Sequence, residues 1–120
     1  MKSRLWNLDK DYNYLVKWWA QYDFGTVPKQ CLPPEGIIVE NNNTPICAGG
    51  LYRCVNSNFG VMEWIVADKF APLKITHKAL NLCIQELLLL AKTFYFLKNY
   101  LDRDQFVIFF KSKRKFFSRE

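Results

Sequence analysis

A chain of 120 residues, 50% hydrophobic and 17% aromatic with 23% charged side chains, has the composition of a folded domain and excludes a wholly disordered one; at this length one domain hides roughly two-thirds of its unfolded surface. The formal charge of +6 gathers at the end: from Lys92 onward eight basic residues (Lys92, Lys98, Arg103, Lys111, Lys113, Arg114, Lys115, Arg119) face three acids (Asp102, Asp104, Glu120), a surplus of five. The most apolar stretch, residues 80–91, contains Asn81, Gln85 and Glu86 and falls short of the ~20 residues a bilayer span needs. Asp9, Lys10 and Asp11 break any leader-like run after Met1, so a cytoplasmic protein with no membrane partner is expected.

In chain order, residues 2–8 form a first strand, and Asp9 offers an N-cap oxygen to a helix carrying Tyr12, Leu15, Val16, Trp18, Trp19 and Tyr22. Residues 24–34, with Gly25, Pro28, Pro33 and Pro34, cannot sustain a helix and read as a surface loop. A strand over 36–40, a turn at Asn41-Asn42-Asn43 and a strand over 45–55 make a hairpin. A second turn at 56–58 leads into a third antiparallel strand over 60–67. The longest helical pattern spans 74–92, with Ile75, Ala79, Leu82, Leu87 and Leu90 near one face. Residues 87–91 are apolar all round, which predicts deep burial at that end. A strand over 94–101 and a short basic-aromatic helix over 103–113 complete the order β-α-β-β-β-α-β-α.

Cys31, Cys47, Cys54 and Cys83 show no C-x-x-C spacing and His77 is the sole histidine, so no metal site is expected and the cysteines read as free thiols. Trp6, Trp18, Trp19 and Trp64 suit either a core or base-stacking platforms; no RNA-module signature accompanies them.

Four runs carry a resemblance: Tyr14-Leu15-Val16-Lys17-Trp18-Trp19, Leu32-Pro33-Pro34-Glu35-Gly36-Ile37-Ile38-Val39, Ile46-Cys47-Ala48-Gly49-Gly50-Leu51-Tyr52 and Met62-Glu63-Trp64-Ile65-Val66-Ala67. With the element order, they resemble the GCN5-related N-acetyltransferase (GNAT) superfamily, its small phage-encoded members in particular, over residues 1–93. The resemblance implies one α+β domain over 1–120 with a mostly antiparallel sheet splayed at its central strands, and acetyl-CoA as cofactor. It implies that the backbone of Ile65 and Val66 pairs with the pantetheine as an added strand would. It also implies that the next helix start, Lys74, Ile75, Thr76, His77 and Lys78, meets the pyrophosphate.

Within that resemblance Glu63 occupies the position of the general base, flanked by Met62 and Trp64, whose apolar surroundings would raise its pKa; the alternative is a strand glutamate on a wet face. His77 stands where the family's loop has a glycine that lets amides approach phosphate, though His77, Lys74, Lys78 and the Thr76 hydroxyl are themselves phosphate donors. Phe110 falls where the resemblance puts a proton-donating tyrosine, leaving Tyr95 and Tyr100 as substitutes. The closing strand is expected to be missing, which leaves a sheet edge open to a protein partner or a homodimer. Three functions follow: an acetyl-CoA-dependent N-acetyltransferase with eroded motifs, a catalytically silent phage structural or interaction module, in the host cytoplasm or the virion, or nucleic-acid binding by the basic segment from about 103.

Overall fold

The computed structural model of the protein describes residues 1–54, 57, 59–99 and 107–110. Its elements are β1 (Lys2–Leu5), α1 (Leu8–Gln21), β2 (Glu35–Asn41), β3 (Thr44–Arg53), β4 (Phe59–Ala67), α2 (Leu73–Asn99) and β5 (Val107–Phe110). The strands form one sheet in the order β1-β2-β3-β4-β5. The first three pairings are antiparallel and β4–β5 is parallel. The fold is α+β.

Local chemistry explains the turns. Asn42 and Asn43 take φ of 52° and 64°, and asparagine tolerates this region well enough to close the two-residue β2–β3 hairpin. The α1 cap lies two residues before the expected one. The Trp6 N–H donates to Gly36 O at 2.9 Å, which holds the chain to the sheet as far as Trp6. The turn therefore falls on Asn7, whose Oδ1 accepts from the Asp9 N–H at 3.1 Å. Asp9 and Asp11 then sit in the first turn, where the helix dipole favours them.

Asp11, only 2% exposed, ties three elements together. It accepts from Arg4 of β1 at 2.8 and 2.9 Å and from the Asn7 N–H at 2.7 Å, and Arg4 also reaches Glu40 of β2 at 3.4 Å. Burial pushes the Asp11 carboxyl up, but the Arg4 guanidinium, the Asn7 N–H and the neighbouring positive charges together hold it below its ordinary value. A depressed carboxyl contributes stability above its unfolded pKa of about 4 and loses it as pH falls through the lower folded value. Asp11→Asn should therefore cost about 2 kcal/mol at pH 7, because Arg4 is partly open to water and keeps some solvation. The difference from wild type should shrink in urea melts below about pH 4.

The sheet separates two cores. On one face α1 packs Leu15, Trp18 and Trp19 with Trp6, Leu32, Ile38, Ala48 and Val66. On the other, α2 lays Ala79, Cys83, Leu87 and Ala91, a strict i, i+4 row, against Ile37, Val39, Cys47, Leu51 and Met62. Trp6, Trp18 and Trp19 are thus core residues and Trp64 is half-buried against them. All four cysteines are free. A hydrogen bond with Cys83 and deep burial push the Cys47 thiol up, so this pair is packing and not a nucleophile.

The later elements differ from the expectation. Residues 94–99, expected as a strand, continue α2: from Leu73 to Asn99 no glycine or proline interrupts the helix, and extending a helix already formed overrides the strand preference of the aromatic run at 94–96. The expected helix over 103–113 instead contains β5, where Val107-Ile108-Phe109-Phe110 follows its β-branched and aromatic preference. Phe110 therefore belongs to the strand beside β4, and its assignment to a tyrosine position in a final helix falls. Residues 100–106 and 111–120, with the rest of that helix, Tyr100, most of the basic tail and any closing strand, lie outside the described residues. Burial of 87–91 on all sides is also corrected, since Leu88 and Leu89 are 37% and 51% exposed. Among the described residues no helix is long and apolar enough to cross a membrane, and no group of three His, Cys, Asp or Glu could hold a metal ion.

Candidate functional site

The alternation of β4 breaks in its middle. Gly50 pairs with Glu63 and Ala48 with Val66, so Trp64 and Ile65 together oppose the single residue Gly49, which is a β-bulge. Trp64 absorbs it with φ of 62°, a conformation costing a bulky residue about 1–3 kcal/mol. The result is a change of facing. Glu63, opposite Gly50, and its neighbour Trp64 serve the α1 face, while Ile65 turns to the α2 face. Gly49 leaves the room for this, because a Cβ there would stand 2.9 Å from Ile65 Cγ1 and 2.8 Å from Leu87 Cδ1.

Trp64 is gripped on the α1 side. Its ring meets Trp19 at 6.1 Å and Phe24 at 6.3 Å between centroids, and its indole N–H donates to Tyr52 Oη at 2.9 Å. Glu63 beside it is half-buried and its Oε1 is shielded from water.

On its other side β4 pairs, among the described residues, with β5. The described residues of β5 run parallel to Phe59–Met62 and end with Phe110 opposite Met62, just before the bulge. The backbone of Ile65 and Val66 lies beyond that pairing. β4 then leads through a tied loop into α2: Asp68 Oδ1 accepts from Phe70 N–H at 3.1 Å and from Gln21 Nε2 at 3.0 Å, and Gln21 Oε1 accepts from Lys69 N–H at 2.8 Å. The first turn of α2 holds no acidic residue. Lys74, His77 and Lys78 are exposed there, and Ile75 and Thr76 are half-buried. The Thr76 N–H already bonds Pro72 O at 2.9 Å, so the helix amides open to an anion are those before it. Thr76 Oγ1 is buried with no hydrogen-bond partner among the described residues.

Two solved structures match the fold of this chain. Rv2747 of Mycobacterium tuberculosis, in complex with CoA, matches with a TM-score of 0.64 over 99% of this chain and 69% of that one, at 16% identity. A GNAT-family acetyltransferase from Staphylococcus aureus matches with a TM-score of 0.62 over 98% and 76%, at 13% identity. The fold is GNAT-like. No protein-family model matches the sequence, and no curated protein matches it.

On this GNAT-like sheet the sequence-singled residues form two groups: Glu63, Ile65 and Val66 at and just after the bulge, and Lys74, Ile75, Thr76, His77 and Lys78 in the first two turns of the helix that follows β4. The loop of Asp68, Lys69 and Phe70 joins them. Tyr52 was missed by the sequence reading, which looked for a phenol only near the end of the chain. No local pattern marks it, because the bulge that brings the Trp64 indole to Tyr52 is a matter of strand register.

Proposed function

We propose that the protein binds acetyl-CoA along β4 beyond the bulge and transfers the acetyl group to an amine, with Glu63 as the base. The observation that carries this is the bulge itself. It breaks the alternation of β4 just before Ile65 and Val66, the residues whose backbone an extended ligand would pair with. The residues suit the cofactor at its other end too. A helix start without carboxylates, bearing Lys74 and Lys78, favours a pyrophosphate over the usual acidic first turn, and the orphaned Thr76 hydroxyl is a donor in want of an acceptor.

Acetyl-CoA supplies a thioester whose acyl carbon takes the amine nitrogen as the C–S bond breaks and the thiolate leaves. The chain's part is to orient and to move a proton. Glu63 accepts the proton that the amine must lose, on the sheet face it shares with Trp64 and Tyr52. The α2 start neutralises the phosphates.

Calorimetric titration with acetyl-CoA and with CoA, at low and physiological salt, tests the reading. Micromolar binding that weakens with salt and is lost in Lys78→Glu is expected; no binding at millimolar cofactor would leave a GNAT-like fold put to another use. Thr76→Val gives a second test of the same site. Replacing an unsatisfied buried hydroxyl by a methyl should stabilise the protein by about 0.5–1 kcal/mol in urea melts, and the same variant should bind acetyl-CoA about tenfold more weakly. Greater stability with unchanged affinity would place the hydroxyl outside the cofactor site.

A further inference from the structure

A phenol from the neighbouring strand ties the bulge to the loop before β2. Tyr52, on β3 opposite Val61, accepts the Trp64 indole N–H at 2.9 Å and donates its own proton to Cys31 O at 2.6 Å. Cys31 ends the short turn Lys29–Cys31 in the 24–34 loop. That loop is tied to α1 by Tyr12 Oη donating to Val27 O at 2.6 Å and by Lys29 to Asp9 at 3.1 Å. The bond from Tyr52 is different in kind, because it ties the loop to the sheet at the residue whose backbone takes a positive φ. Such a conformation persists in a tryptophan only when its surroundings over-determine it. Trp19 and Phe24 hold the ring by its faces and edges, contacts that allow sliding, whereas the hydrogen bond to Tyr52 fixes where the indole tip lies.

We propose that the Tyr52 hydroxyl is a positioning group: it couples the 24–34 loop to the β4 bulge, so that the loop, the Glu63 carboxylate and the backbone of Ile65 and Val66 hold one mutual geometry. Loosening the loop loosens the strand. The consequence for cofactor binding rests on the acetyl-CoA reading above; the coupling itself does not.

Tyr52→Phe removes both hydrogen bonds and keeps the ring. In cofactor-free protein, amide hydrogen exchange should rise about tenfold both at Cys31 and Leu32 and at residues 64–67, with the Trp64 indole N–H losing its hydrogen-bonded chemical shift. A second variant, Trp64→Phe, cuts the same link from the strand side while leaving the Tyr52 bond to Cys31 O, so exchange should rise at 64–67 and, because coupling is reciprocal, at Cys31 and Leu32 too; a rise at 64–67 alone would overturn the proposal. Faster exchange in the loop alone in Tyr52→Phe, with 64–67 unchanged, would overturn the proposal. For acetyl-CoA, Tyr52→Phe should bind about tenfold more weakly than wild type, and equal affinity would remove the link to the cofactor strand. A wild type that binds no acetyl-CoA would sink the acetyltransferase reading and leave the exchange result to decide the coupling.

Discussion

Gly36→Ala should destabilise the protein by about 3 kcal/mol or more, lowering Tm on the order of 10 °C. Gly36 and Gly50 lie directly opposite each other on β2 and β3, and together they make a flat seat for the Trp6 indole. A Cβ built on Gly36 would land on Trp6 Cδ2 and Cε2, and one on Gly50 would stand 2.7 Å from Trp6 Cη2 and 2.6 Å from Pro33 Cγ. The ring has nowhere to go. Its own backbone N–H donates to Gly36 O at 2.9 Å, its indole N–H to Pro34 O at 3.3 Å, and it is buried in the α1-side core. Gly50→Ala should cost somewhat less, since its contacts are longer. Urea denaturation of both, with Trp6→Leu alone and combined with Gly36→Ala, checks the argument: the double variant should recover part of the Gly36→Ala loss. A loss under about 1 kcal/mol for Gly36→Ala would show that the indole tilts freely.

On the acetyltransferase reading proposed above, Glu63→Gln should slow acetyl transfer by at least about 100-fold, the range for removing a positioned general base. The amide keeps the shape of the carboxylate and cannot take a proton, so acetyl-CoA affinity should change little. The deficit should also depend on pH in a defined sense. At higher pH more of the acceptor amine is already deprotonated in solution, so less is asked of the base and the gap to wild type narrows. Measuring kcat/KM against pH for both proteins over a panel of primary amines shows this, and equal rates at neutral pH would remove Glu63 from the chemistry.

Much of this fold was legible because its signals are local. The asparagine turn, the proline-rich loop, the three central strands and the amphipathic row of α2 follow from backbone tolerance and from apolar spacing, which neighbours in sequence already express. Expectation and structure part where local preference and tertiary context disagree. Residues 94–99 look like a strand and extend a helix, because an uninterrupted helix already packed on a sheet is cheaper to continue than to break. Conversely, Val107-Ile108-Phe109-Phe110, inside the expected basic-aromatic helix over 103–113, keeps its local strand preference by pairing with β4.

By itself, then, the sequence determined the element types through β4, and Glu63 with Ile65 and Val66 as neighbours on one strand. Only the tertiary structure decided that Trp64 takes a positive φ, that the bulge falls opposite Gly49, and that Val107–Phe110 pairs parallel with Phe59–Met62. The reason is physical: a bulge is defined by the register of two strands against each other, and register depends on side chains from Leu87, Tyr52 and Trp19, which approach from three separate elements.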